Sequence, residues 1–395
     1  MLKRQPKSFA GFCIQTISSA IFAPIQMSIR ICHISTVHSV KDIRIFIKEC
    51  LSLSENGYEV FYVVTNNKNE IINNVQIVAL SETNSRFIRI FFKPFSALIK
   101  ALNTKSSLYH LHDPELMPIG WLLRLFGKKV IYDAHENLAK DIIDKPWIKP
   151  TFLRKSISIL AHTAEQFSYL VLNGIIGATE NIYEQFGKRK SVLIRNLPVL
   201  SLIESAAASK IEKGDKIILV FTGGLTRIRG IEEMLSAMKF LSNDYELWIA
   251  GTWDEVDLQK DCANNDGWRK CKYFGQLDQL TAYGLMKIAD AGMLTYLPAA
   301  NHLEAMPNKP FEYMACSLPM VLSDFLYWKN LFGDSAVYVN PKSPQSIADG
   351  VMKIFSENGL KEKMAANAKR MIDNSLSWES EEKVLINFYH KILNQ

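Results

Sequence analysis

Two glutamates eight positions apart, Glu304 and Glu312, bracket the densest group of chemically capable residues in this sequence. From His302 to Ala315 the chain reads HLEAMPNKPFEYMA. Pro307 and Pro310 disfavour helix before Pro310, which puts Glu304 on a loop and Glu312 in the first turns of the helix that follows. A loop that runs into a helix N-terminus offers free backbone N–H groups and the positive end of a dipole, a setting that suits a diphosphate. Carboxylates on either side of such an anion site can accept hydrogen bonds from the paired hydroxyls of a ribose or a hexose. Taken alone, the same two residues equally describe the solvated start of a helix.

The absences are as useful. No D-x-D occurs, so a metal-bridged diphosphate has no ligand pair and no metal is expected. The first predicted strand is followed by Ser35-Thr36-Val37-His38 where a nicotinamide enzyme needs G-x-G-x-x-G. Six cysteines stand without any C-x-x-C pair, which excludes a zinc ribbon and a thioredoxin-type redox centre.

These residues need elements to position them. Predicted strands at 29–34 and 58–64 flank a helical pattern at 39–53 whose apolar positions are Ile43, Phe46, Ile47, Cys50 and Leu51. Further strands are expected at 75–80, 107–111, 129–132 and 174–177, and the first half reads as a parallel sheet with crossover helices. Residues 201–216 are small and polar, a linker. The pattern restarts with strands at 217–222, 246–250, 272–274 and 289–295 and a helix at 230–241, giving α/β architecture in two Rossmann-like lobes. The expected boundaries are 27–200 for the first lobe, 217–375 for the second and 376–395 for a C-terminal helix. Open parallel sheets bind ligands at the carboxyl ends of their strands, so two facing lobes place the site in the cleft between them.

At 395 residues the chain is long enough for two such lobes, and its 48% hydrophobic and 22% charged content excludes a disordered or collagen-like protein. Residues 1–200 carry 25 Lys and Arg against 15 Asp and Glu, whereas residues 201–395 carry 21 against 25. Only the first half is therefore expected to meet an anionic partner, and no nucleic-acid motif accompanies the basic residues. Residues 86–100 and 145–155 interleave bases with apolar residues, among them Phe91, Phe92, Phe95 and Trp147. They fit a surface that docks on anionic lipid from the cytoplasmic side, a rim for an anionic acceptor, or partly core. Residues 1–26 resemble a weak signal peptide but lack an A-x-A site, and are read as an extension before a domain that starts near Met27; no membrane span is expected.

From about Ser28 onward the chain resembles a glycosyltransferase of the GT-B fold, in particular the retaining family 4 with its Glu-x7-Glu signature. The resemblance is carried by residues 38–46 (HSVKDIRIF), 110–116 (HLHDPEL) and 131–136 (IYDAHE) in the first lobe. In the second lobe it rests on 221–225 (FTGGL), Arg229-Gly230-Ile231, Ala250-Gly251, Phe274-Gly275 and 307–315 (PNKPFEYMA). It implies two facing lobes with a C-terminal helix that crosses back onto the first, and transfer of a sugar, with retention, from a nucleotide-diphosphate donor to a glycan or polyprenyl-linked acceptor, in cell-surface polysaccharide assembly. No cofactor is implied besides the donor.

Residue by residue, the resemblance gives Glu312 to the donor ribose and Glu304 to the donor sugar hydroxyls, with Ala305, Met306 and Asn308 lining the phosphate loop and Gly223 and Gly224 on the donor side as well. Arg229 is the implied cation for the diphosphate. The arginine that commonly follows the first glycine of the strand-end loop is here Gly224, so Arg227 either substitutes for it or is a solvated loop residue, and Lys309 is a third cation. His135 matches a histidine at the cleft edge that contacts donor sugar or phosphate; by its residue type alone it could be a structural hydrogen-bonder. His112 and Asp113 shape the acceptor pocket or support His135, and His110 packs. His38, Asp42 and Arg44 orient the cleft loop or cap the first helix. Two rivals remain open at this point: a sugar-nucleotide epimerase of related fold, and a catalytically inert nucleotide-sugar-binding subunit.

Overall fold

A computed structural model describes residues 28–143 and 148–394; the extension 1–26, Met27, Lys145 and Trp147 lie outside the described residues. The first lobe is built on β1 (Arg30–Ile34), β2 (Glu59–Thr65), β3 (Glu70–Ile72), β4 (Val75–Leu80), β5 (Leu108–Leu111), β6 (Lys129–Ala134), β7 (Gly174–Gly177) and β8 (Ser191–Leu193). They form one sheet in the order β3-β4-β2-β1-β5-β6-β7-β8, parallel except where β3 pairs antiparallel with β4 at the edge. The second lobe has β9 (Ile217–Thr222), β10 (Tyr245–Ala250), β11 (Cys271–Tyr273), β12 (Ala291–Leu294), β13 (Met320–Ser323) and β14 (Ala336–Val339) in the order β11-β10-β9-β12-β13-β14, all parallel. Chain order reverses at β9, and the crevice beside such a switch point is where open sheets take ligands.

The apolar strands lie in continuous buried runs because helices cover both faces of each sheet. Ile31, Leu108 and Ile131 pack one face of the first sheet, and Cys32, Tyr109 and Val130 the other. The helix Trp378–Leu393 belongs to the first lobe's core through Trp378, Leu385, Phe388, Tyr389 and Ile392. Its Trp378 Nε1 donates to Ser52 Oγ at 2.9 Å, and Glu381 accepts from the Arg195 guanidinium at 2.6 Å. At its tightest packing, Gly174 leaves no room for a Cβ, which would sit 2.5 Å from the Phe388 ring.

Several expectations need correction. The span 201–216 is not a free linker: Leu200–Ser205 is helical, Ile203 and Ala206 join the second lobe's core, and Ser209 N–H donates to Gly284 O at 3.0 Å. Helix begins at Asn308, not after Pro310, because Pro310 falls third in Asn308–Ala315, where no intrahelical N–H partner is required. The helix Ile43–Cys50, continued by Leu51–Glu55, buries Arg44, Lys48 and Glu49 beside Ile45, Phe46 and Cys50, while Ile43 is exposed. Its first turn is over-wide, with Ile47 N–H reaching back five residues to Asp42 O at 3.2 Å, and this rotates the apolar stripe away from a 3.6-residue period. Strands β3, β8, β13 and β14 escaped the sequence reading; each is only three or four residues long.

Candidate functional site

At the carboxyl ends of β9 and β10 a pocket of about 300 Å³ is lined by Gly223, Gly224, Gly251, Tyr283, Lys309 and Glu312, with Ile43 from the first lobe. Its floor is backbone. Gly251, at φ +151°, packs so closely on Gly223 that a Cβ would fall 1.7 Å from Gly223 O. Bare backbone at this point lets a ligand approach the strand ends directly.

Cations converge on that floor. Arg229 Nη1 donates to Gly224 O at 3.1 Å, and its guanidinium lies 5.7 Å from the Tyr296 ring centre. A Cβ at position 224 would meet Arg229 Nη1 at 2.8 Å, so the space that a longer residue would take here is filled by Arg229. Lys309 Nζ donates to Glu312 Oε2 at 2.5 Å. Asn308 and Lys309 are the first residues of a helix whose N-cap, Pro307, supplies no side-chain acceptor, which leaves those N–H groups open to an anion. Arg227 is placed differently: its guanidinium contacts Glu232 at 2.9 Å, Asp261 at 2.6 Å and Glu255 at 3.3 Å. Three carboxylates occupy it, which removes it as a substitute cation.

Glu304 and Glu312 are unlike in setting. Glu312 is buried at the pocket wall, whereas Glu304 is exposed and pairs with Lys140 of the first lobe at 3.2 Å, across the cleft. The loop between them is held by Trp328 Nε1, which donates to Ala305 O at 2.9 Å, and Met306 packs partly on the core.

The facing lobe offers a cleft of about 590 Å³ lined by residues that include His38, Arg86, Arg89, Asp113, His135 and Glu136. His135 follows β6 and sits with its Nε2 3.4 Å from His112 Nδ1 and 3.5 Å from Asp133 Oδ2. Burial, only partly offset by Asp133, pushes its pKa down to about 3, so the ring is neutral near pH 7. His38 Nδ1 lies 2.9 Å from Asp42 Oδ2 and its Nε2 3.5 Å from Asp113 Oδ1. Burial pushes the His38 pKa down, but the hydrogen bond to Asp42 and the Asp113 charge outweigh it and raise the value. Asp42 also caps the first helix, accepting from Arg44 N–H and Ile45 N–H at 2.9 Å. Asp113 accepts from Thr36 N–H at 2.6 Å and Ser35 Oγ at 2.9 Å, and so fixes the loop after β1 at the cleft wall. Arg44 does not orient the cleft loop: it is buried and grips Asp133 through two hydrogen bonds of 2.9 Å.

Sequence reasoning missed His33, Lys48, Glu49 and Asp133. Burial pushes Asp133 up, but the Arg44 guanidinium holds it well below the usual carboxylate range. Lys48 Nζ donates to Asn196 Oδ1 at 2.5 Å; burial and neighbouring Arg44 push its pKa down to about 7, against the upward pull of Glu312 across the cleft. His110 does not merely pack: its Nδ1 lies 2.6 Å from Tyr389 OH. The available signal was parity, since His110 and His112 on β5 and its end, and Asp133 and His135 on β6 and its end, are each two residues apart and share a sheet face.

Residues 203–371 match the family described as Glycosyl transferases group 1. The chain is 31% identical over 180 residues to an uncharacterized glycosyltransferase of Methanocaldococcus jannaschii, a match that covers 44% of this chain and only 45% of that protein. A second uncharacterized glycosyltransferase of the same organism is 23% identical over 323 residues, with 79% of this chain and 80% of the relative covered. Among solved structures, sucrose-phosphate synthase from Thermosynechococcus elongatus superposes with a TM-score of 0.68 at 15% identity, over 93% of this chain and 99% of that one. Anabaena HepE in complex with UDP gives 0.69 at 11% identity, over 92% and 100%. The two parallel-sheet lobes have the GT-B fold, and the second carries a domain of the glycosyl transferases group 1 type.

Proposed function

We propose that the protein is a retaining glycosyltransferase that moves a hexose-type sugar from a nucleotide-diphosphate donor to a glycan or lipid-linked acceptor. The observation that carries this reading is the convergence of Arg229, Lys309 and the open N–H groups of Asn308–Ala315 over a glycine floor at the switch point, with Glu312 beside them. Arg229, Lys309 and the helix N–H groups take up the charge of the departing diphosphate as the bond to the sugar breaks. With no D-x-D in the chain, that role falls to side chains and backbone. The acceptor oxygen then attacks from the face that the diphosphate leaves, and a departing phosphate oxygen takes its proton. Glu312 receives the donor ribose and Glu304 the sugar hydroxyls, while neutral His135 reaches the donor from the facing lobe. Calorimetric screening of UDP, GDP and CMP sugars identifies the donor. Product analysis with and without acceptor then separates transfer from epimerisation and from inert binding; conversion of the donor sugar without acceptor would reject the reading.

The first lobe also suits a membrane surface. Phe87 and Phe91 on helix Arg86–Phe91, Phe95 on helix Lys93–Asn103 and Phe92 at the junction between them are each more than half exposed. The segment is less basic at its surface than its sequence suggests, since Lys93 is buried against Thr36 O and Thr65 Oγ1 and Lys100 donates to Ala79 O. No helix among the described residues is long and apolar enough to cross a bilayer. Docking on the anionic inner leaflet would bring a polyprenyl-linked acceptor to the cleft, as part of cell-surface polysaccharide assembly. Binding to anionic vesicles that weakens with salt supports it; equal binding to neutral vesicles, or none to either, rejects it.

A further inference from the structure

Behind the cleft, Glu49 is fully buried and, among the described residues, neither carboxylate oxygen has a hydrogen-bond donor; Arg44 Nε comes only to 3.4 Å from Oε1. A carboxylate taken out of water without donors is strongly destabilising. Three buried imidazoles nevertheless face it. His33 Nδ1, His110 Nδ1 and His112 Nε2 lie 3.8, 3.7 and 3.8 Å from Glu49 Oε2. These separations are too long for hydrogen bonds. They are close to the edges of a tetrahedron, roughly 3.3 to 3.5 Å, around a cation bound at about 2.0 to 2.2 Å. His33 Nδ1 and His112 Nε2 form a shorter edge of 2.9 Å, and all four ligand atoms lie within 4.8 Å of one another.

The fold brings these groups together by register. His33 on β1 and His110 on β5 are direct partners across the ladder, and His112 lies two residues further on the same face. Helix Ile43–Cys50 lowers Glu49 onto them. A carboxylate also faces the outer nitrogen of His112, whose Nδ1 is 3.6 Å from Asp133 Oδ2, somewhat beyond hydrogen-bond length, and Asp133 is clamped by Arg44. Tyr389 OH, from the crossing helix, lies 3.3 Å from His33 Nε2, the ring nitrogen turned away from the cation, whereas its 2.6 Å contact with His110 Nδ1 is one that the cation would replace.

We infer that Glu49, His33, His110 and His112 hold a divalent cation of the zinc type. Imidazole nitrogen with one carboxylate is a borderline donor set that suits zinc, and four protein ligands with no exposed face make a closed, structural site. The cation ties β1, β5 and the first helix together and fixes the ring of His112, which stands next to His135. This assignment is independent of the donor reading, because the cluster touches neither Arg229 nor Glu312.

The full chain, produced with zinc in the growth medium and dialysed against a chelator, should retain about one zinc per molecule by elemental analysis. X-ray absorption at the zinc edge should show nitrogen and oxygen neighbours alone. Glu49→Gln and His110→Ala should each lower the zinc content at least tenfold, while Glu312→Gln should leave it unchanged. Wild-type protein holding less than about a tenth of an equivalent would overturn the inference. So would sulfur in the first shell, which would point to the cysteines, and both readouts stand even where a variant fails to fold.

Discussion

Arg229→Ala isolates the proposed diphosphate contact from the rest of the proposed donor site. Arg229 lies over the glycine floor, its one hydrogen bond going to Gly224 O, and it has no carboxylate partner among the described residues. A guanidinium in that state can give its charge to a phosphate without first breaking an ion pair. Removing a charge-assisted hydrogen bond costs about 1.5 to 3 kcal/mol, which corresponds to a roughly 10- to 150-fold weaker Kd. Calorimetry on the nucleoside diphosphate that binds should show that loss, while affinity for the bare nucleoside should change by less than about twofold. Arg229→Lys should fall between, since an ammonium keeps the charge but not the fork. Arg227→Ala is the internal control: with Glu232, Glu255 and Asp261 on its guanidinium, it should leave both affinities unchanged. A folded Arg229→Ala protein with full diphosphate affinity, or with equal losses for diphosphate and nucleoside, would refute the assignment.

Glu312→Gln keeps the shape but removes the charge that accepts from ligand hydroxyls, so the preference for a ribonucleotide over its deoxyribonucleotide should fall by about 1.5 to 3 kcal/mol in paired titrations; an intact preference would take the ribose from Glu312. Gly251→Ala places a methyl against Gly223 O in a left-handed backbone and should cost more than about 2 kcal/mol in urea unfolding, with loss of nucleotide binding. Glu165 is buried on helix Thr151–Val171, and burial raises its pKa to about 7 from an ordinary 4.5. Its ionisation therefore weakens the fold as pH rises from about 4.5 through about 7, by at most about 3 kcal/mol. Glu165→Gln should thus match wild type near pH 4.5 and exceed it at pH 8, and an equal difference at both would reject this origin.

The second lobe was largely legible because its candidate chemistry is local. Glycines at strand ends, prolines before a helix and a glutamate in its first turns are short-range signals, and strands such as Ile217–Thr222 and Tyr245–Ala250 lie where the apolar runs put them. The helix starting at Asn308 differed only because proline is tolerated within a first turn. The first lobe was harder to read. Arg44, Lys48 and Glu49 look like the solvated side of an amphipathic helix, and burial became intelligible only once Asp133, Asn196 and the histidines stood opposite, up to 148 residues away in sequence. No periodicity encodes such partners. The free role first open to Arg227 failed for the same reason, since Glu255 and Asp261 reach it from a different loop and helix.

The two halves should consequently respond to mutation in different ways. The second lobe's pocket is a backbone floor with side chains reaching over it, so on the proposed reading loss of Arg229 or Lys309 leaves the core intact and appears as affinity. In the first lobe the cleft residues are the exposed ends of a buried polar column that runs from Tyr389 through His110, His112 and Asp133 to His135. Breaking one member strands the others without partners, at a cost of several kcal/mol. Replacing His112 or Asp133 will therefore lower stability and turnover together, and turnover alone cannot assign either of them a direct part in transfer. His135, with its side chain partly open to the cleft, is the one member of the column that can be truncated with a modest stability cost. A fall in turnover in a His135→Ala protein that melts near wild type would separate contact with the reacting sugar from support of the scaffold, and a shared fall of both would place His135 with the scaffold.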